Sequence, residues 1–161
     1  MIAYHGTRAP VFGALDHARS GLGTHFGTRR SAHQRVRALG RFQAGASRVE
    51  RYRLSVRNPL RLRDIGAWDS LPDVAFSLRI ELPFGGAGPD ILRADDLRAF
   101  RAFRTDAEAW DFLRRKIEER GYDSVVYQNA VEDAGSDSYI VWRDELIEKL
   151  PFARQAASPG R

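Results

Sequence analysis

The stretch from Thr105 to Trp142 constrains the fold more than any other part of the chain. Thr105 and Glu108 stand at capping-box spacing, Trp110, Leu113 and Ile117 recur at i, i+3 and i+7, and Gly121 follows the last turn. That pattern predicts a helix from Thr105 or Asp106 to Arg120 with one apolar stripe turned to a core. Asp123–Tyr127 and Ser138–Trp142 follow it as short, β-branched and aromatic runs, each read as a buried strand. Two buried strands need neighbours, which the rest of the chain must supply.

Candidate neighbours lie in the first third. Ile2–Tyr4 reads as a strand ending at His5-Gly6-Thr7, and Thr24–Thr28 as another after the turn cluster Ser20-Gly21-Leu22-Gly23. Ser47–Val56 alternates well enough for a strand, Asn58-Pro59 breaks it, and Leu60–Leu62 is a further extended piece. Helices are predicted over Pro10–Ala18 and Ser31–Leu39, and one or two between Asp64 and Leu82, with Asp69-Ser70-Leu71-Pro72 as a start signal. Pro83–Pro89 reads as a loop and Asp144–Leu150 as a short terminal helix. Strands at both ends with helices between them define the class as α+β. The length of 161 residues suits one domain, expected over 1–150, with 151–161 a flexible tail.

Composition narrows the chemistry. There are no cysteines, which excludes thiolate catalysis, thiolate zinc sites and disulfides. No apolar run approaches the ~20 residues of a membrane span, and the first residues lack the basic and apolar segments of a secretory signal. Charge is unevenly spread: residues 1–63 hold thirteen arginines against Asp16 and Glu50, a net +11, and the remainder carries −6. The basic part is either a solvated surface or a field for something phosphorylated.

Four histidines, at 5, 17, 25 and 33, lack metal-ligand spacing. His5 and His25 differ from the others because each ends a short strand beside Gly and Thr, either as a satisfied turn residue or as a ligand contact. No Gly-x-Ser-x-Gly elbow accompanies any histidine, and the glycine-rich Pro83–Pro89 lacks a P-loop's Gly-Lys-Ser/Thr ending. Glu132, Asp133 and Asp137 cluster between the last two strands, readable as an acidic turn or as working carboxylates.

Taken together, Tyr4-His5-Gly6-Thr7, Gly23-Thr24-His25-Phe26-Gly27-Thr28, Asn58-Pro59-Leu60-Arg61-Leu62-Arg63-Asp64 and the run from Gly121 to Trp142 resemble the ADP-ribosyltransferase fold. The likeness is to its diphtheria-toxin and PARP-like branch, including small phage and polyvalent-protein members, and runs from Tyr4 to about Ile147. It implies a split antiparallel β core with peripheral helices and NAD as co-substrate, without a metal. His5 would then hydrogen-bond a ribose hydroxyl, the Gly6 backbone would grip the nicotinamide carboxamide, and Thr7 and Arg8 would lie close by, Arg8 within reach of the pyrophosphate. Phe26 stands where the family carries a stacking tyrosine, with His25, Thr28 and Tyr127 in the same cofactor-binding set. Where the family's Glu-Tyr-Ile-Val-Tyr begins with its catalytic glutamate, this chain has Ser138-Tyr139-Ile140-Val141-Trp142. Asp137 would need a bulge to take that place, so Glu132 is the expected catalytic carboxylate, with Ser138 near the ribose.

The resemblance thus implies a mono-ADP-ribosyltransferase acting on a protein or nucleic-acid acceptor, of toxin, effector or phage type. Such a protein works in the cytoplasm, its own or that of a target cell, with an immunity or antitoxin protein as a further partner. Two alternatives are a catalytically inactive binding module of the same fold and a basic nucleic-acid-binding domain.

Overall fold

The computed structural model describes residues 1–8, 15, 21–40, 46–79, 81–82, 86–87 and 89–151. The helix expected over Pro10–Ala18 falls almost wholly outside these residues, as does the expected tail beyond Pro151.

The predicted capped helix forms as α4, Asp106–Glu119. Thr105 Oγ1 accepts from the Glu108 N–H while the Glu108 carboxylate accepts from the Thr105 N–H, so both halves of the capping box are made. Its stripe of Trp110, Leu113 and Ile117 is buried. β7 (Ser124–Gln128) and β8 (Asp137–Val141) follow, antiparallel to each other. β8 also pairs antiparallel with β2 (Thr24–Phe26), and β4 (Pro59–Leu62) lies on the other side of β7, giving a four-stranded sheet in the order β2-β8-β7-β4. The β4–β7 pair is parallel, which departs from the antiparallel core expected. The reason is the connection: α2 (Leu71–Ser77), α3 (Ala94–Phe100) and α4 lie between the two strands, the long crossover that a parallel pair needs. Asp123 fixes the register by accepting from the backbone N–H groups of Arg57 and Asn58 at 2.6 and 3.2 Å.

A second, antiparallel sheet has the order β1-β3-β9, built from Ile2–Thr7, Arg48–Leu54 and Ile147–Leu150. Here the expected terminal helix over Asp144–Leu150 is corrected. Asp144–Leu146 make one 3₁₀ turn, after which the chain extends along β3, where sheet hydrogen bonds and burial of Ile147 outweigh local helix preference. Of the loop expected over Pro83–Pro89, residues 83–85 and 88 lie outside the described residues, while β6 (Gly86–Ala87) pairs antiparallel with β5 (Glu81–Leu82) in a small ribbon. The class is α+β: two sheets, that ribbon, and four described helices.

Two cores result. Leu60, Val125 and Ile140 from the four-stranded sheet pack with Trp110, Leu113 and Ile117 of α4 and with Val74 and Leu78. A smaller cluster of Ala3, Phe26, Tyr52, Leu54 and Val141 lies between the sheets. α1 (Arg29–Leu39) packs on β1 so closely that a Cβ at Gly6 would sit 2.3 Å from the Ala32 carbonyl oxygen. The sheets are joined where Tyr4 and Gly27 exchange two backbone hydrogen bonds of 2.9 Å. Leu113 sits at the centre of the larger core with no exposure. Leu113→Ala is expected to cost about 2–5 kcal/mol in urea unfolding with an unchanged m-value.

Candidate functional site

The Tyr4–Gly27 link brings the end of β1, β2, the first turns of α1 and the β7–β8 loop to one place. In the β1–β3 ladder, pairs that exchange hydrogen bonds alternate with pairs that do not. Tyr4 spends its N–H and C=O on Gly27, so Gly6, two residues on, also turns both groups to the edge away from β3. Gly6 is buried, and among the described residues no backbone group pairs with it on that edge. Buried backbone groups rarely stay unpaired, which makes this edge a place for a ligand's donor and acceptor.

His5 stands beside it. Its Nδ1 lies 2.8 Å from the His25 carbonyl oxygen, which only accepts, so Nδ1 carries the proton and the neutral ring keeps an acceptor at Nε2. Burial lowers the His5 pKa, partly countered by that carbonyl and by Glu50. Beneath the ring lies Phe26, 5.8 Å away between centroids and 5.2 Å from Tyr52. Phe26, the ring expected to stack on nicotinamide, is only 1% exposed. As part of the inter-sheet core it supports His5.

His25 Nδ1 shares a 3.1 Å hydrogen bond with the Tyr127 hydroxyl, and the His25 ring meets Trp68 edge-on. Burial, reinforced by the positive charge of Arg35 and by His5, pushes His25 down to about 3, with Asp64 opposing. Tyr127 stacks at 4.6 Å on Trp68, and burial raises its hydroxyl pKa. Ser138 lies opposite Tyr127 in the β7–β8 register, and its Oγ accepts from Asn129 Nδ2 at 3.1 Å. The same Nδ2 donates to Glu132 Oε2 at 3.3 Å. One hydrogen bond thus joins His25 to Tyr127, and a second set runs from Ser138 through Asn129 to Glu132.

Asn129 builds the loop as well as the chain. Its Oδ1 accepts from the N–H groups of Val131 and Glu132 at 2.9 and 2.8 Å, an Asx turn, while its backbone bonds Ser136 and Gly135. Asp64 Oδ2 accepts from the Ala130 N–H at 2.8 Å, and Gln34 of α1 accepts from the Asp133 N–H. Thr28 caps α1 by accepting from the Ser31 N–H, and donates its own hydroxyl to Asp133 at 2.6 Å. Arg30 and Arg35 pair with Asp133 and Glu132, each at 3.5 Å. The Glu132 carboxylate is thus held between α1 and Asn129, one-fifth exposed.

Of the residues expected at the site, the structure gathers His5, Gly6, His25, Tyr127, Glu132 and Ser138 at this junction. Thr28 is there too, serving as a helix cap and loop tether. Thr7 ends β1 opposite Arg48, and Arg8 lies against Gly40 at the far end of α1. Asp137 points elsewhere, in a two-pronged 2.9 Å pair with Arg61. Asn129, Arg35, Gln34 and Asp64 were not anticipated. Asn129 could have been flagged as an Asx-turn residue before a Gly-Ser turn, whereas Arg35, Gln34 and Asp64 carry no local signal. Among the described residues no group of three His, Asp or Glu is placed to hold a metal. Two cavities, of about 470 and 510 Å³, lie away from the junction, at the end of β9 and beside α4. No protein-family model, curated protein or solved structure matches the chain.

Two outcomes test this geometry. Unfolding returns His25 to its ordinary 6.5, so between pH 6.5 and about 3 the unfolded chain binds a proton that the native one refuses. The stability due to neutral His25 is full above pH 6.5 and is lost as pH falls toward 3. Urea midpoints measured from pH 7 to 4 should therefore fall less steeply in His25→Gln than in the wild type, and equal slopes would contradict the assignment. Asn129→Ala should speed amide exchange at Val131 and Glu132 and cost about 1–3 kcal/mol.

Proposed function

We propose that the chain is a mono-ADP-ribosyltransferase that uses NAD as co-substrate. The observation that carries the reading is the meeting of the Gly6 strand edge, His5 and Glu132 at one junction. Gly6 offers a buried N–H and C=O, the complement of a carboxamide, and His5 offers an acceptor to a ribose hydroxyl. In the reaction, the bond between nicotinamide and ribose C1′ breaks, its electron pair leaves on nicotinamide, and an acceptor nucleophile bonds C1′ and gives up its proton. Glu132 supplies negative charge where C1′ becomes positive, and Asn129 and Arg35 hold that carboxylate in place beforehand. Ser138 reaches Glu132 through Asn129 and serves as a positioning residue.

A catalytically silent nucleotide-binding module is the second reading. It is favoured by the Arg35–Glu132 ion pair, which already neutralises the carboxylate, and by the burial of Phe26.

Release of nicotinamide and transfer of label from NAD into several lysates separate the two. The wild type should release nicotinamide, Glu132→Gln should be slower by about 10²–10³-fold, and His5→Ala should raise the KM for NAD. Binding of NAD by calorimetry without nicotinamide release supports the silent module, and neither binding nor release refutes both.

A further inference from the structure

The surface beside Glu132 is the exposed side of α1. This helix turns Ser31, Ala32 and Val36 inward and leaves Arg29, Arg30, His33, Arg35 and Arg37 outside, with no acidic residue along its length. The other three described helices all carry acids, and several of their cations have carboxylate partners: Arg98 with Asp95, Arg114 with Asp111, Lys116 with Asp96 and Glu119. On α1, Arg30 and Arg35 are committed to the Glu132 loop. Arg29, His33 and Arg37 form a separate row at i, i+4 and i+8, and no carboxylate among the described residues pairs with either arginine.

The placement is locally unfavourable. Arg29 and Arg30 occupy the first turn, where the helix dipole presents positive charge and acids are preferred. Cations concentrated against the dipole, without acids to balance them, suit a surface whose counter-charge arrives from outside. Eight residues of helix cover about 12 Å. One nucleic-acid strand presents a phosphate about every 3.4 Å of duplex axis, so the row spans roughly three or four of them. Arginine's planar fork binds phosphate oxygens in pairs.

We propose that this row of α1 binds the phosphodiester backbone of a nucleic-acid strand, laying it beside the loop that carries Glu132, and that the strand is the acceptor. Its role as acceptor rests on the ADP-ribosyltransferase reading; the binding does not.

Fluorescence anisotropy with labelled 20-mers of single-stranded DNA, single-stranded RNA and duplex DNA tests the binding across a salt series without NAD. The wild type should bind at least one of them, with log affinity falling linearly in log salt. Arg29→Gln/Arg37→Gln should lose at least tenfold in affinity at 0.1 M salt and flatten the slope by about 1.4 for a single strand, two contacts' worth. Arg57→Gln/Arg63→Gln, equally exposed but away from α1, should match the wild type. Equal loss in both variants, an unchanged Arg29/Arg37 variant, or no binding of any oligonucleotide would each overturn the proposal. Binding of poly-glutamate alone would overturn it in favour of an acidic protein surface. Adding labelled NAD separates the two layers. Oligonucleotides that bind through α1 but take no label leave the surface standing and remove the acceptor. Label passing only to protein, unaffected by Arg29→Gln/Arg37→Gln, upholds the transferase reading and overturns the strand as acceptor.

Discussion

Two hydrogen bonds of 2.9 Å between Tyr4 and Gly27 hold the rest of the molecule in relation. They join the three-stranded sheet to the four-stranded one across an inter-sheet cluster of five buried residues, too small to fix the angle between the sheets by itself. Position 27 is crowded there: a Cβ would meet Ser31 Oγ at 2.4 Å and Ser138 Oγ at 3.0 Å. The same crowding sets the start of α1 and the start of β8 against each other, which is why Thr28 can both cap the helix and hold Asp133. Because Tyr4 spends its backbone on Gly27, strand parity leaves Gly6 facing the same edge with nothing described to pair with it. The candidate site is therefore a by-product of how the sheets are joined.

The Glu132 loop is organised by polar contacts where an apolar core is absent. Each neutral hydrogen bond in it contributes about 0.5–1.5 kcal/mol net, and its partly exposed ion pairs about 0–1 kcal/mol each. Against this stand a positive φ of 52° at Asp133 and a 76% exposed Val131. So dense a set of tethers on a short loop does more to fix the position of one carboxylate than to stabilise the domain. Fixing a charge before the reacting carbon becomes positive removes the reorganisation that water would otherwise require.

The parts legible in the sequence are those whose determinants are local. Thr105, Glu108, the Trp110–Leu113–Ile117 stripe and Gly121 specify α4 within seventeen residues, and the runs of β7 and β8 are apolar enough to be buried whatever they pair with. β9 was misread because Ile147-Glu-Lys-Leu150 suits one helical turn as well as one strand, and the choice belongs to β3, almost a hundred residues away. The parallel β4–β7 pair likewise depends on Asp123 gripping Arg57 and Asn58 across the crossover. Glu132 was legible as a carboxylate in the right loop, but not the means of holding it. Arg35, Gln34 and Asp64 reach it only through tertiary packing, and the burial of Phe26 follows from Tyr52 and Val141 closing over it.

The charge division along the chain is largely erased in space. β1 and β3 of the basic part pair with β9, and β2 and β4 with β8 and β7, so arginines from the basic part meet acids from the last third: Arg53 with Glu148 and Arg61 with Asp137. Interleaving of strands is what makes a +11 segment compatible with a compact domain, since like charges otherwise repel within it. α1 escapes this mixing because a helix on the outer face of a sheet has no cross-strand partner to supply an acid. The only carboxylates described as pairing with its arginines, Glu132 and Asp133, come from the loop that also carries the candidate chemistry. Because Arg35 is taken up in holding Glu132, the row left facing outward is the one formed by Arg29, His33 and Arg37. Topology thus couples the acidic loop at the site to the described helix that carries cations and no acid along its own length.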